Sequence, residues 1–131
     1  MKGTYILEIS FQNDIELSIG SLGLIHFKKG FYYYIGSAMG PQGSSALLNR
    51  VKRHLKNSNE KKRFWHIDYL LENKNALLTK IILIPCQIKL ECEFARNFLQ
   101  LADNFIPNFG SSDCNCKTHL LHFTKSNNLF K

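Results

Sequence analysis

The chain has 131 residues, 44% hydrophobic and 21% charged, a composition that fits one globular domain and excludes a long disordered chain. Its 17 lysines and arginines outnumber 10 acidic residues, giving a formal charge of +7, so polyanions such as nucleic acid are favoured partners. The longest apolar run, residues 81–84, is far shorter than the ~20 residues of a membrane-spanning helix, so we expect no membrane-embedded segment.

The start of the chain predicts a cytoplasmic location. Residues 1–5 lead directly into an alternating strand pattern, without a cationic leader, an apolar stretch or a small-residue cleavage site. In that compartment, cysteines are more often thiols or metal ligands than disulfides. We therefore expect no disulfide framework from Cys86, Cys92, Cys114 and Cys116.

Alternating apolar residues predict the strands of the N-terminal third. The period of two runs through residues 4–11 and recurs in two shorter segments before an aromatic segment that ends at Gly36. Gly20 and Gly23 predict a turn between the short segments. We interpret this third as a β-meander with strands at residues 4–11, 15–19, 24–27 and 31–36.

Helical spacing and turn residues organise the remainder of the chain. They predict a basic helix, a short helix, a strand ended by Pro85, a third helix, and a short strand or helix, at residues 46–55, 64–71, 77–84, 89 to about 105, and 120–123. The predicted fold class is α+β (α/β in the broad sense), one domain over residues 1–131 with a mainly antiparallel central sheet flanked by helices. Residues 110–131 form a Cys/His-containing tail packed on this domain.

The basic helix carries two residues suited to binding a phosphate. Arg50 and His54 lie four residues apart, on the flank of an apolar stripe, so both side chains can point at one small object. A guanidinium offers a fork of donors to phosphate oxygens, and an imidazole adds a donor or a proton carrier near neutral pH. The alternative is a solvated basic face with a histidine that borders the core.

Glu91 is the unusual residue of the third helix, because it lies beside the apolar stripe. A half-buried carboxylate needs a partner, and either Arg50 or a divalent cation would satisfy it. Strand alternation places Tyr32 and Tyr34 on one face of the sheet and Tyr33 on the other. Each tyrosine is by default a packed sheet residue, and a nearby cation or metal would make its phenol chemically useful.

The tail offers three soft metal ligands at close spacing, Cys114, Cys116 and His119, with Cys92 or His122 as alternative fourth ligands. Structural zinc commonly takes four N or S ligands in paired knuckles, and this spacing is not a familiar finger pattern. Thiols in a packed loop are therefore the favoured interpretation, and a zinc-stabilised interaction domain is the weaker alternative.

An ordered set of motifs resembles the GIY-YIG nuclease superfamily. The set is Gly3-Thr4-Tyr5, then Tyr34-Ile35-Gly36, then Arg50 and His54, then a helical Glu91. The wider pattern, at residues 64–69, 91–93 and 109–120, is similar to a small GIY-YIG-like branch found alone or fused to a DNA glycosylase-type endonuclease. The resemblance covers nearly the whole chain.

The resemblance implies a small GIY-YIG-like domain that cuts phosphodiester bonds with one Mg²⁺ or Mn²⁺ ion. By this carry-over Glu91 would hold the metal, Tyr34 would be the general base, Arg50 would bind the scissile phosphate, and Tyr5 and His54 would complete the hydrogen-bond network. A metal stabilises the leaving oxygen, and a phenolate near cations accepts the proton of the attacking water.

The chain departs from the family pattern at several points. The first motif reads Gly3-Thr4-Tyr5, where the family has Gly-Ile-Tyr, which changes a neighbour but not the key phenol. The interval between the two tyrosine motifs holds an additional strand pair, and the loop from Gly36 to Arg50 is enlarged. Ser37 stands where many relatives have a lysine or arginine. The missing phosphate contact would come from Lys52, Arg53 or His66, which we assign to substrate binding. Asn108 is the match for the asparagine that often follows the metal-binding helix, and we assign it to the same role.

The sequence thus predicts a metal-dependent endonuclease that acts on DNA, or on RNA, in repair or processing, with a functional link to a DNA glycosylase or endonuclease. The alternative function is a catalytically inactive nucleic-acid-binding module of the same fold. A pure binder needs cations but has no use for the carboxylate of Glu91, so the complete residue set favours the enzyme.

Overall fold

A computed structural model describes residues 2–40, 46–55, 66–111 and 116–125. Its strands are β1 Gly3–Phe11, β2 Ile15–Ser18, β3 Leu24–Phe27, β4 Gly30–Ala38, β5 Leu77–Pro85, β6 Asn104–Phe105 and β7 Leu120–Phe123. Its helices are α1 Leu47–Leu55, α2 His66–Leu71 and α3 Glu91–Leu101, and a single 3₁₀ turn covers Gly20–Leu22. The predicted α+β class is confirmed.

A five-stranded antiparallel sheet forms the centre of the domain, with the strand order β5-β1-β4-β7-β6. β1 lies inside it, paired along its length with β4 on one side and β5 on the other. Every residue of β1 except Ser10 is buried, as expected for a strand with neighbours on both edges and layers on both faces.

Helices cover both faces of this sheet. The α1 face, covered by α1 and α2, packs Leu47, Val51, Ile67 and Leu70 against one set of alternating strand residues, Tyr5, Leu7, Ile9, Tyr32, Tyr34 and Leu120. The α3 face packs Ala95 and Phe98 against the other set, Ile6, Tyr33, Ile35, Leu121 and Phe123. The side-chain period of two in β1 and β4 divides the core into these two halves.

The predicted meander is corrected in one respect. β2 and β3 pair only with each other, as a separate two-stranded sheet, and β1 pairs with β4 instead of with β2. The hairpin still contributes to the α1 face, because Ile19 and Phe27 are fully buried in that core. The additional strand pair is therefore an excursion between β1 and β4.

The predicted end of the third helix is wrong by one turn. α3 stops at Leu101, because Ala102 is extended at φ −74° and ψ 147°, and the chain turns back as β6 to pair with β7. Phe105, predicted on the helical stripe, lies in β6 and is exposed. The open choice at residues 120–123 resolves to a strand, β7.

None of the helices in the described ranges combines the length and apolar character needed to cross a membrane. The residues predicted to begin the second helix, 64 and 65, and most of the enlarged loop, 41–45, lie outside those ranges.

Candidate functional site

Two glycines bring Tyr5 against helix α1. Gly36 lies directly opposite Tyr5 in the β1–β4 ladder, and a Cβ atom added to Gly36 would be 2.3 Å from Cζ of Tyr5. A Cβ atom on Gly3 would be 2.6 Å from the carbonyl oxygen of Ile84 and 2.9 Å from Cδ2 of Leu47. Because real Cβ atoms do not approach so closely, the Tyr5 ring occupies the space that a side chain at Gly36 would need.

Tyr5, Tyr34 and His54 form a buried cluster on the α1 face. The hydroxyl oxygen of Tyr5 lies 2.7 Å from Nε2 of His54, a hydrogen bond whose donor depends on the histidine tautomer. The ring centroids of Tyr5 and His54 are 5.3 Å apart, and those of Tyr5 and Tyr34 are 6.3 Å apart. Tyr5 is 2% exposed, His54 3% and Tyr34 7%, so Tyr34 is the cluster member most open to solvent.

Charges from three helices act on the Tyr5 phenol. Burial raises the pKa of Tyr5 well above its ordinary value, and the neighbouring Tyr34 raises it further. The Arg50 guanidinium opposes this shift, and the Glu91 and Asp68 carboxylates add to it. Tyr5 therefore keeps its proton at neutral pH and serves as a hydrogen-bonding phenol. The cluster lies within electrostatic range of both predicted charged residues, Arg50 and Glu91.

The basic residues of α1 differ in their surroundings. Nη1 of Arg50 donates a 2.7 Å hydrogen bond to the carbonyl oxygen of Ser37, which ties α1 to the end of β4. Arg53 donates from both terminal nitrogens to the carboxylate of Asp68, at 2.7 and 3.0 Å, and Asp68 is fully buried. Lys52 is exposed. Arg53 thus has a structural partner, and its contact with a substrate stays a prediction.

Glu91 is the first residue of α3, where a carboxylate interacts favourably with the helix dipole. Its oxygens lie 3.2 Å from Nζ of Lys89 and 3.7 Å from Nδ1 of His119, and its side chain is 13% exposed. The proximity of His119 was not anticipated from the sequence, where the histidine was considered only as a metal ligand.

The turn at Phe109 and Gly110 connects the cluster to the other predicted substrate residues. Nδ1 of His66 accepts a 2.8 Å hydrogen bond from the Gly110 amide, and burial lowers the pKa of His66 below its ordinary value, so this imidazole is neutral. Phe109 packs edge-on against both His66 and Tyr34, with centroid distances of 5.6 and 6.1 Å. Asn108 lies in the same turn with a φ of 63° and is exposed.

Gly110 is required where Tyr34 meets His119. It has a φ of 70°, and a Cβ atom there would lie 3.1 Å from Cε1 of Tyr34 and 3.3 Å from Cβ of His119. The sequence predicted only a loop at this position. The sequence signal for this close packing was the Phe-Gly pair among turn-forming residues, since glycine allows a left-handed backbone without a steric penalty.

A second group of ligand-type residues lies on the α3 face. The potential ligand atoms of Cys92, Cys116 and His119 all lie within 4.8 Å of one another, a group that could hold a metal ion. Of the two alternative fourth ligands, Cys92 is therefore the one beside the tail. His122 lies elsewhere: its Nε2 is 2.9 Å from the carbonyl oxygen of Lys29, and its ring packs at a tilt against Tyr32, with the centroids 4.7 Å apart. The predicted ligand Cys114 lies outside the described residues.

One family is similar to the chain as a whole. The family described as "Domain of unknown function DUF123" matches residues 4–131. No curated protein matches the chain, and no solved structure matches it.

Proposed function

This chain belongs to the DUF123 family of domains of unknown function, and we propose that it is a metal-dependent endonuclease that hydrolyses phosphodiester bonds in DNA. Repair or processing of DNA is the setting implied by the resemblance of its motifs to GIY-YIG nucleases. The net charge of +7 supports a nucleic-acid substrate.

The observation that carries the proposal is the convergence on Tyr5. Its hydroxyl lies 2.7 Å from His54, its ring is next to Tyr34, and its pKa responds to Arg50 and Glu91. Tyr5, Tyr34 and His54, from β1, β4 and α1, are in direct contact, whereas Arg50 and Glu91 act on the Tyr5 phenol through their charge. Two phenols, an imidazole, a guanidinium and a carboxylate suit phosphodiester hydrolysis, which needs a base, a cation on the phosphoryl oxygens and a ligand for a metal.

The electrostatics separate the roles of the two tyrosines. Tyr5 keeps its proton because its pKa is raised, so it is suited to donating a hydrogen bond and unsuited to accepting the proton of water. Tyr34, the more exposed of the two, is left as the candidate general base. His54 orients the Tyr5 hydroxyl, and the bond from Arg50 to Ser37 fixes the position of the guanidinium that would bind the scissile phosphate.

Glu91 is the residue of this set that would hold Mg²⁺ or Mn²⁺, and its chemistry fits. Hard divalent ions take one or two protein carboxylates and complete their coordination with water and substrate phosphate oxygens. Lys89, the cation next to Glu91, is 56% exposed and can swing its ammonium into solvent when the carboxylate binds a metal. A metal ion bound there would stabilise negative charge on the phosphoryl and leaving oxygens.

A second candidate function is a nucleic-acid-binding module of the same fold without turnover. The internal bonds of the α1 arginines favour it, because Arg50 donates to Ser37 and Arg53 forms a closed pair with Asp68. Ser37 also stands where the resembling family commonly has a cation. The Asp68 carboxylate offsets the charge of Arg53, one donor of Arg50 is engaged by a backbone carbonyl, and Ser37 adds no charge, so fewer cationic donors are left for a phosphate.

A nicking assay on supercoiled and branched DNA, with Mg²⁺ or Mn²⁺, distinguishes the two functions. We expect the wild-type protein to cut and Glu91→Ala to be slower by at least about 100-fold, since it loses the metal ligand. The matched control is Glu93→Ala, which removes the same charge from the same helical turn at an exposed position.

Two outcomes would contradict the proposal in different ways. A wild-type protein that shifts DNA in a gel but never cuts it would establish the binding module. Equal cleavage by Glu91→Ala and Glu93→Ala would remove Glu91 from the metal site while leaving nuclease activity in place.

A further inference from the structure

The cluster of Cys92, Cys116 and His119 is separate from the phenol cluster in chemistry. Two thiol sulfurs and one imidazole nitrogen are soft or borderline ligands, which select zinc over magnesium or calcium. The cluster joins the first turn of α3 to the segment that leads into β7, two parts of the chain separated by more than 20 residues. An ion at this position would cross-link the helix to the sheet.

The distances in the cluster are close to those of a tetrahedral zinc site. With Zn–S bonds of about 2.3 Å and Zn–N bonds of about 2.0 Å, an S···N pair in such a site is about 3.5 Å apart and an S···S pair about 3.8 Å. Sγ of Cys92 lies 3.9 Å from Nε2 of His119, and all three ligand atoms fall within 4.8 Å. Side-chain movements of less than about 1 Å would bring these atoms into coordination range.

His119 is held in the orientation that a metal ligand needs. Its Nδ1 lies 3.0 Å from the carbonyl oxygen of Ile35, and Glu91 is the next acceptor at 3.7 Å. A hydrogen bond from Nδ1–H to a backbone carbonyl places the lone pair on Nε2, the nitrogen that faces Cys92. Metal-binding histidines in proteins show this same arrangement, with a second hydrogen bond that fixes the tautomer.

An ion can reach the cluster from solvent. A pocket of about 440 Å³ opens beside α3, lined by Cys92 and Cys116 together with Ala95, Arg96, Leu99, Gln100 and Lys117. The pocket reaches the two half-buried thiols, and the third ligand residue, His119, is buried behind them at 1% exposure. An entry path to the ligand set is one of the features expected of a metal site.

From these four observations we infer that Cys92, Cys116 and His119 form a binding site for one zinc ion. These three ligands, found among the described residues, leave one tetrahedral position for water or another ligand. Because Cys92 follows Glu91 directly and His119 lies beside the Glu91 carboxylate, zinc would also immobilise the start of α3. The inference does not rest on the proposed nuclease activity, and its test uses no DNA.

Zinc affinity of the purified, fully reduced chain tests the inference, measured by competition with a chromophoric chelator. We expect about one ion per chain in the wild type, and a loss of at least about 100-fold in affinity for Cys92→Ser, Cys116→Ser and His119→Ala. The matched control is Cys86→Ser, because Cys86 is also a half-buried thiol but its Sγ bonds to the carbonyl oxygen of Ile88. Zinc should raise the Tm of the wild type and of Cys86→Ser only.

Cobalt substitution gives a readout of the ligands themselves. Co²⁺ bound by two thiolates should show sulfur-to-cobalt charge-transfer absorption, which weakens when either Cys92 or Cys116 is replaced. A large excess of Mg²⁺ should not displace the zinc, because the three ligand atoms of this site are sulfur and nitrogen, whereas Mg²⁺ prefers oxygen.

Three results would overturn the inference. They are a reduced, folded wild type that binds no zinc, a Cys92→Ser variant that binds it as tightly as Cys86→Ser, and a native protein whose mass after alkylation shows a disulfide between Cys92 and Cys116. Since His119 is buried and its variant can fail to fold, the two serine variants decide the result.

Discussion

Two buried tyrosines on opposite faces of the central sheet each bond to a titratable side chain. On the α1 face the hydroxyl of Tyr5 pairs with Nε2 of His54. On the α3 face the hydroxyl of Tyr33 donates to Oε2 of Glu8, which is also buried. Taken alone, either pair resembles an active-site fragment, because both place a phenol next to a second ionisable group.

The surroundings of the two pairs differ. Glu8 receives a 2.6 Å hydrogen bond from Oγ1 of Thr79 on its other oxygen, and Tyr33 is enclosed by the rings of Phe98 and Phe123. The Lys80 ammonium lies 3.9 Å from the Glu8 oxygen that accepts from Tyr33, so this carboxylate belongs to a structural network of hydrogen bonds and an ion pair. Around Tyr5, in contrast, Gly36 leaves room for the ring because it has no side chain. Charges of both signs, from α1, α2 and α3, act on the phenol. The lesson is that charge convergence, more than a buried phenol, marks the candidate site.

The largest effect on stability is expected from breaking the Arg53–Asp68 ion pair. Asp68→Ala should lower the free energy of unfolding by about 3–5 kcal/mol, because it leaves the Arg53 guanidinium, only 20% exposed, without its carboxylate. Urea unfolding measures the loss, with Glu16→Ala, an exposed acid on β2, as the control.

A double variant sharpens this result. Arg53→Leu with Asp68→Leu removes both charges and should be more stable than Asp68→Leu alone, because no buried charge is left unpaired. If Asp68→Ala costs less than about 1 kcal/mol, the pair behaves like a surface salt bridge, and Arg53 is available to a substrate.

Next in size is the effect of removing the Tyr33 hydroxyl on the α3 face. Tyr33→Phe should lower the free energy of unfolding by about 1–3 kcal/mol, because the buried Glu8 carboxylate loses the hydrogen bond from the phenol. Tyr32→Phe is the control, since the Tyr32 hydroxyl donates to a neutral acceptor, the carbonyl oxygen of Lys28, at 2.8 Å. Tyr33→Phe should leave DNA cleavage unchanged, and a loss of cleavage would mean that the Tyr33–Glu8 pair takes part in the chemistry.

A smaller stability effect, combined with a loss of activity, is expected from removing the Tyr5 hydroxyl on the α1 face. Tyr5→Phe should cost about 1 kcal/mol, because the hydrogen bond to His54 is lost. If that bond positions the site, DNA cleavage should slow by at least about tenfold, the equivalent of 1.4 kcal/mol in the barrier. If Tyr5→Phe and Tyr33→Phe both cleave DNA at the wild-type rate, the two hydrogen-bonded tyrosines do not differ in function.

The sequence predicted the local features of this comparison well. Alternation located β1 and β4 and assigned Tyr34 and Tyr33 to opposite faces, because side-chain direction in a strand depends only on the parity of the position. Helical spacing placed Arg50 and His54 together for a similar reason. The presence of an acid inside the apolar segment at Asp68 was a signal of a buried charge that we did not use.

Features that depend on distant residues could not be predicted. The need for glycine at position 36 arises from the Tyr5 ring, 31 positions earlier, and the end of α3 is set by the pairing of β6 with β7, with no glycine or proline to mark it. Similarly, spacing within the tail pointed to Cys116 and His119, but only the packing of α3 on the sheet chose Cys92 over His122 as their neighbour.

The last expected effect is absent at neutral pH, appears only at high pH, and tests the protonation state of Tyr5. An unfolded tyrosine loses its proton near pH 10, whereas the native state holds the pKa of Tyr5 well above that value. The unfolded state then binds fewer protons than the native state, so stability is lost as the pH rises above about 10, by about 1.4 kcal/mol per pH unit for one phenol. Tyr5→Phe should remove this slope.

Urea unfolding between about pH 9 and about pH 11 measures the difference, and lysine titration cancels because it is common to both proteins. Tyr32→Phe is the matched comparison, since burial also raises the pKa of Tyr32, and it should flatten the curve in the same direction. Parallel curves for the wild type and Tyr5→Phe would mean that the native state ionises Tyr5 as readily as the unfolded chain does. Tyr5 would then compete with Tyr34 for the role of general base, and the assignment of the two phenols would have to be decided by cleavage kinetics.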